Sequence, residues 1–414
     1  MEPKRIGILC TLDTKGEHAG LLKTLIEERG HEAVVLDIGV MGTPPFFPDI
    51  SRHEIAGAAG VEIRDLVAEG DRGKALAAMS TGAIAVVGKL YGQGSLHGVI
   101  GLGGGSGTAI ASAAMRALPI GSPKVMVSTM ASSGHVAMYV GTRDIVMMNT
   151  ITDITGMNPI LRSVLSNGAA AICGMVEMGS GTGRLRDAGG QPTVAITAFG
   201  VTTPAAMGCH ELLTEAGFDT MIFHANGTGG RAMEELIEQG VIDAVLDVTT
   251  TELPDELCGG RLTAGPRRLE AAGARGIPQV VLPGAIDMVN FGTRETVPSH
   301  YADRLLYRHN PNTTLMRTSP EENRALGRWV GQKLSEAKRS AILILPLRGF
   351  SEYDREGGVF YDPDADKAFM DAAVEALGDC GEVTWLDEHI NSPTCIKTAV
   401  DRLVGLVGAT THDV

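Results

Sequence analysis

The chain has 414 residues, 44% hydrophobic but only 4% aromatic, with 54 glycines and a formal net charge of −14. That length predicts two domains, each able to bury a full core. The acidic balance excludes nucleic acid or an anionic membrane as a general partner, so a negative ligand must be held by backbone dipoles and a few basic side chains.

Positions 5–10 read as a buried strand, 11–18 as a polar loop, 19–29 as an amphipathic helix closed by Gly30, and 32–38 as the next strand. Strand, loop, helix, strand is the unit that builds a parallel sheet. Ligands of open α/β sheets sit beyond the carboxyl ends of the strands, which makes Asp13, Thr14 and Lys15 candidate contacts. The Pro/Phe-rich run 41–48 reads as a lid or a subunit contact, and helical patterns cover 65–69 and 72–79, continuing to about 91.

Residues 97–111 carry the strongest local signal: a short apolar strand, the glycines 101, 103, 104, 105 and 107, then an Ala-rich helix. Glycines allow positive φ and close approach of a ligand to the backbone. The first turn of the helix leaves N–H groups unpaired at the positive end of its dipole. Gly103, Gly104, Gly105, Ser106, Gly107 and Thr108 therefore form a predicted anion site, for phosphate or carboxylate. No lysine follows as in a Walker loop, and Ser106 stands where the third glycine of the dinucleotide fingerprint belongs.

Strands at 124–130 and 145–149 end in hydroxyl-rich turns, placing Thr129 and Asp153 where a phosphate or its magnesium would sit. A long helix over 159–178 and a Gly-rich linker over 179–190 mark the boundary between expected domains 1–185 and 190–408, with 409–414 a disordered tail.

The second half repeats the architecture. A strand at 191–199 opens it, and a strand at 220–224 leads into Gly227, Thr228, Gly229, Gly230 and Arg231 before a helix at 232–239. An arginine beside free amides suits a second carboxylate or phosphate contact. Strands at 244–248 and 279–282 put Glu252, Asp287 and Asn290 at or beyond their ends; 300–318 is a polar stretch. A helix at 320–337, a strand at 341–345, a helix at 365–377, a strand at 382–386 and a helix at 392–407 finish the chain, with Trp329 and Trp385 expected in the core.

The six cysteines lack Cys-x-x-Cys spacing and read as reduced thiols. No signal-peptide pattern and no membrane-length apolar run stand out, which points to a soluble cytoplasmic protein. Neither a Gly-x-Ser-x-Gly elbow nor a His-Glu-x-x-His pair is present; His224 and His309 are the histidines that fall in candidate loops.

Leu12-Asp13-Thr14-Lys15-Gly16-Glu17, the 101–108 and 225–231 segments and His309-Asn310-Pro311-Asn312-Thr313-Thr314 together resemble the family of the tomato mosaic virus resistance protein, in its N-terminal ATP-binding domain. The resemblance spans essentially the whole chain. It implies two Rossmann-like α/β domains, each a mostly parallel sheet with helices on both faces and a ligand cleft between them or at the strand ends. It also implies ATP with magnesium as ligand, the metal held through the phosphates, and a homo-oligomer. Plant members carry a further TIM-barrel-like domain, so a separate partner protein of that kind is an expectation.

Two functions follow. One is an ATP-dependent enzyme acting on a small metabolite, with Asp13, Asp153, Glu252 and Asp287 as candidate catalytic or metal carboxylates. The other is a nucleotide-binding regulatory or interaction module without turnover.

Overall fold

The computed structural model describes residues 2–179, 190–339 and 341–410. Most of the predicted glycine-rich linker and the last four residues of the predicted tail lie outside the described residues; the final helix continues to Thr410. The chain divides into two compact units, Met1–Ala188 and Gly189–Val414.

The first unit is built on five parallel strands: β1 (Arg5–Cys10), β2 (Glu32–Asp37), β3 (Gly98–Gly103), β4 (Lys124–Ser128) and β5 (Val146–Asn149). Their order is β2-β1-β3-β4-β5, the flavodoxin-like arrangement. Along β1 the pleat sends Ile6, Ile8 and Cys10 to one core and Leu9 to the other, so both faces are apolar, as a covered parallel sheet requires. On the first face pack α1 (Leu12–Glu28) and α7 (Pro159–Glu177). On the second lie α2 (Arg52–Ala58), α3 (Ile63–Glu69), α4 (Arg72–Gly92) and α5 (Gly105–Ala117); the short α6 (Val136–Val140) precedes β5.

Two sequence expectations change here. The polar loop after β1 is helical from Leu12, with a kink at Lys15 (φ −127°, ψ 16°). Also, α4 and α7 are each long and apolar enough to cross a membrane by length and composition. One stripe of each is buried in the two cores of this unit, Met79, Ala83 and Val87 on α4 and Leu161, Leu165 and Ile172 on α7, while Ile84 and Ile160 are exposed.

The second unit has strands β6 (Thr193–Ala198), β7 (Asp219–His224), β8 (Ala244–Thr249), β9 (Gln279–Gly284), β10 (Met288–Phe291), β11 (Leu306–Asn310), β12 (Thr313–Arg317), β13 (Ile342–Pro346) and β14 (Glu382–Leu386). Six form a parallel sheet in the order β7-β6-β8-β9-β13-β14. This is the first unit's topology with one more edge strand, and with a small antiparallel sheet, β10-β12-β11, inserted between β9 and β13. The sequence showed only a polar loop there.

Helices α8 (Thr203–Glu215) and α14 (Pro393–Thr410) cover one face; α12 (Pro320–Ser335) and α13 (Pro363–Leu377) cover the other. The remaining helices are α9 (Thr228–Glu238), α10 (Glu252–Cys258) and α11 (Ala271–Arg275). Trp329 is half-buried, whereas Trp385, expected in the core, is 49% exposed.

Candidate functional site

In the order β2-β1-β3-β4-β5 the chain reverses direction of sheet growth between β1 and β3, and the loops leaving those two strands splay apart to open a crevice. The crevice is a pocket of about 580 Å³, within the range of small-ligand sites. Its floor is the β1 loop (Thr11, Asp13, Thr14, Lys15) and the glycine turn (Gly104, Gly105, Ser106, Gly107). Its walls are Ile38–Met41 after β2, and Leu66, Val67, Ala75 and Leu76 around the start of α4. Seven of the predicted ligand contacts are thus in one place.

The glycines act through size. None of Gly101, Gly103, Gly104, Gly105 or Gly107 has positive φ, contrary to the expectation from their clustering. A Cβ on Gly101 would stand 2.5 Å from Met126 Sδ and one on Gly103 2.8 Å from Gly107 Cα, so these two let strand and helix touch. A Cβ on Gly105 would meet nothing within 4 Å, so there the missing side chain leaves the helix start open to the pocket. The cap residue Gly104 has no side chain and no side-chain cap bond forms, so α5 begins with bare amides and an uncompensated dipole.

Positive side chains complete this end. Arg72 Nη2 donates to Ser106 Oγ at 2.8 Å, and Lys15 lines the same pocket. Arg72 was not singled out by sequence; the signal for it is Asp71, which accepts from the Gly73 and Lys74 amides and so fixes α4 to begin at Arg72. The far wall is held by a buried pair: Asp37 Oδ2 accepts from Arg52 Nε at 2.7 Å, Asp37 Oδ1 accepts from the Leu12 and Gly39 amides, and Arg52 Nη1 donates to the Gly42 carbonyl. That pair ties the loop after β2 to the start of α1.

Other predicted contacts fall elsewhere. Thr108 is fully buried, its hydroxyl 2.6 Å from Ser128 Oγ, so it fastens α5 to the end of β4. Thr129 and Asp153 belong to a neighbouring cavity of about 200 Å³ beyond β4 and β5. The exposed Asp153 carboxylate accepts from Thr155 Oγ1 and the Ile154 amide, which hold its pKa below the usual carboxylate range.

The second glycine turn is filled from inside. Glu252 Oε1 accepts from the amides of Gly227 at 2.6 Å and Gly230 at 3.1 Å, and the Gly229 amide donates to Asn226 Oδ1. Arg231 Nε turns back to the Gly227 carbonyl. These amides hold the protein's own carboxylate where the sequence predicted a ligand's. A Cβ on Gly230 would lie 2.0 Å from Glu252 Oε2, so the glycine is there for the glutamate. Glu252 is fully buried and pairs with Arg268 Nε at 2.7 Å, while Arg268 also forks onto Asp247. Asp287, the other candidate carboxylate of this unit, is also fully buried, accepting from Ser351 Oγ at 2.8 Å.

The second sheet's own direction change, between β6 and β8, is closed by hydroxyls. Thr202 and Thr249 Oγ1 lie 2.7 Å apart, and the Thr249 amide donates to Thr197 Oγ1, which itself donates to Asp247. In the first unit, bare helix-start amides line a pocket at this topological position.

Comparison with known proteins matches residues 4–180 to the N-terminal domain and 191–407 to the C-terminal domain of the uncharacterised protein family UPF0261. A UPF0261 protein of Clostridium tetani is 46% identical over 98% of this chain and 99% of its own length. One from Rhizobium meliloti is 43% identical over 96% of this chain and 98% of its own. The ToMV susceptible protein tm-1(GCR26) of Solanum lycopersicum is 43% identical over 82% of this chain, which spans 46% of that longer protein. The ToMV resistance protein Tm-1(GCR237) is 39% identical over the same shares.

Proposed function

The chain belongs to the UPF0261 family, and for this member we propose that the first unit binds ATP with magnesium in the β1/β3 crevice. The observation that carries the reading is the bare start of α5 facing a 580 Å³ pocket with Arg72 and Lys15 beside it. Amides and a helix dipole supply the attraction for phosphate that an acidic chain otherwise lacks. Arg72 adds a charge-assisted contact, and the apolar wall of Ile38, Val40, Leu66 and Leu76 suits the flat face of a base. Magnesium would ride on the phosphates, with Asp13, which lines the pocket, as a carboxylate able to face it.

Calorimetric titration with ATP, ADP and AMP tests this. Affinity should rise with phosphate number and fall in Arg72→Ala; absence of binding, or equal binding of all three, sinks the reading.

A nucleotide-sensing module without turnover is the second reading. It is favoured by the burial of Glu252 and Asp287, which removes half of the four candidate catalytic carboxylates from any ligand's reach. Phosphate release watched across a metabolite panel, repeated on Asp13→Asn, separates the two.

A further inference from the structure

The cavity beyond β4 and β5 has no role in nucleotide binding as described, yet its lining is almost wholly polar. Its lining is Thr129, Ser132, Asn149, Thr150, Ile151, Thr152 and Asp153, and it is an open depression of about 200 Å³ with Ser132, Ile151 and Asp153 exposed at its rim. No lysine or arginine lines it, the nearby Lys15 reaching it only as a charge acting on Asp153. An anion there would meet the like charge of Asp153 and no guanidinium or ammonium in the lining itself.

What remains free in the lining is a mixed set. The hydroxyls of Thr129 and Ser132 and the amide NH2 of Asn149 donate to no protein atom among the described residues, and Asn149 Oδ1 accepts only a long 3.4 Å bond from the Ile151 amide. Asp153 keeps lone pairs beyond the two that Thr155 and Ile154 engage. Free donors together with a carboxylate acceptor in one lining match a molecule whose every polar group both gives and takes a hydrogen bond. A hydroxyl does that; a carboxylate or a phosphate does not.

The rim is held against local preference. Ile151 has φ +64°, a left-handed conformation that a β-branched residue avoids. Short bonds keep it there: Thr150 Oγ1 donates to the Thr152 carbonyl at 2.7 Å, the Thr152 amide donates to the Thr150 carbonyl at 2.7 Å, and Asn158, the cap of α7, reaches Thr152 Oγ1 at 3.2 Å. Such conformations persist only where surrounding contacts over-determine them, and they gather at sites that hold ligands.

Position relates this cavity to the nucleotide pocket of the same unit. A Cβ on Gly104, in the phosphate-binding turn, would lie 3.7 Å from Thr129 Oγ1. Lys15, in the pocket floor, is close enough for its charge to act on Asp153. The two spaces therefore adjoin at the glycine turn, whose bare amides are the part of the pocket suited to a nucleotide's phosphates.

We infer that this cavity is the subsite for a second small ligand, a neutral polyol or sugar of triose to pentose size, lying beside the nucleotide's terminal phosphate and held by Thr129, Ser132, Asn149 and Asp153. The inference deepens the ATP reading and rests on it for the identity of the neighbouring ligand.

Saturation-transfer NMR on the full chain with glycerol, erythritol and ribitol, each against glycerate as the charged comparator, tests it, run with and without a non-hydrolysable ATP analogue. Polyol binding is expected, stronger with the analogue present. It should weaken tenfold or more in the Ser132→Ala/Asn149→Ala variant while analogue affinity stays within twofold. Circular dichroism melts confirm that this variant is folded; if it is not, Asp153→Asn takes its place. Analogue binding with no polyol signal overturns the inference and leaves the ATP reading standing. Polyol binding that is lost in the variant, without any analogue binding, supports the subsite and overturns the ATP reading. A polyol signal undiminished in the folded variant, or a stronger signal from glycerate, also overturns the inference.

Discussion

Arg72 Nη2 lies 2.8 Å from Ser106 Oγ, joining the first residue of α4 to the second residue of α5 across the mouth of the pocket. Both helices start here; the first amides of α4 are taken by Asp71, so the bare amides of α5 and one guanidinium converge on the pocket. A phosphate entering the pocket would receive the arginine from Ser106 with little rearrangement. A hydrogen bond to a charged group contributes about 1.5–3 kcal/mol, so Arg72→Ala should weaken ATP binding roughly tenfold or more. Ser106→Ala should cost less, because the amide beneath it remains. Arg72→Lys should recover part of the loss, since it restores the charge without the planar fork. Calorimetry on the three variants checks the order; equal affinity of Arg72→Ala and the parent removes the arginine from the site.

The glycine turn allows fold and binding to be separated within three residues. A side chain at Gly103 has no room, its Cβ falling 2.8 Å from Gly107 Cα and 3.0 Å from the Thr108 amide. A side chain at Gly105 has open space and an ordinary φ. Gly103→Val should therefore unfold the first unit or lower its Tm by several degrees, at a cost of about 1–3 kcal/mol for overpacking. Gly105→Val should leave Tm nearly unchanged and abolish nucleotide binding by covering the amides. Thermal melts beside titrations decide; a folded Gly105→Val protein that still binds ATP at parental affinity would move the phosphate elsewhere.

The parallel β/α units were legible because their signals are local: apolar runs of strand length, glycines at turns, and acidic first turns such as Glu321 and Glu322 at the head of α12. The glycine turn of 101–108 could be read as strand-to-helix, but its backbone angles could not, since glycine serves equally for left-handed turns and for tight packing. Glu252 and Gly227 lie 25 residues apart in sequence, and nothing in the loop 227–231 announces that a carboxylate from another strand end will occupy its amides. The same limit hid Arg72, which comes 34 residues before Ser106. The β10-β12-β11 insertion was missed because its strands are only four or five residues long and carry Asn290, Arg308 and His309 among their apolar positions.

Glu252 can be tested as structure against chemistry. If it serves only Arg268 and the Gly227 and Gly230 amides, Glu252→Gln leaves a buried guanidinium short of one partner, and removing one member of a buried pair costs about 3–5 kcal/mol. The second unit should melt several degrees lower, while ATP titrated below that transition binds the first unit unchanged. A variant of parental stability that has lost magnesium-dependent ATP binding would return Glu252 to the list of metal or catalytic carboxylates.

The second unit also carries a buried excess of acid. Arg317 Nη2 lies 2.6 Å from Asp366 Oδ1 and 3.5 Å from Asp354 Oδ1, with Asp287 in the same group, so three carboxylates surround one guanidinium. Burial, and then repulsion from Asp354, raises the pKa of both Asp287 and Asp366 above the usual carboxylate range; burial raises Asp354 as well. A carboxyl whose pKa is higher folded than unfolded favours the native state while protonated. Its contribution is complete below about pH 4 and is lost as pH climbs through the folded-state value. Stability of this unit should therefore fall from roughly pH 5 to pH 8 through these groups. Asp366→Asn fixes one of them in its neutral form, so the variant should gain on the parent progressively across that interval, in either thermal or urea unfolding. A stability difference between the two proteins that stays constant with pH, or shrinks, would mean that Arg317 keeps Asp366 ionised and that the surplus proton sits elsewhere.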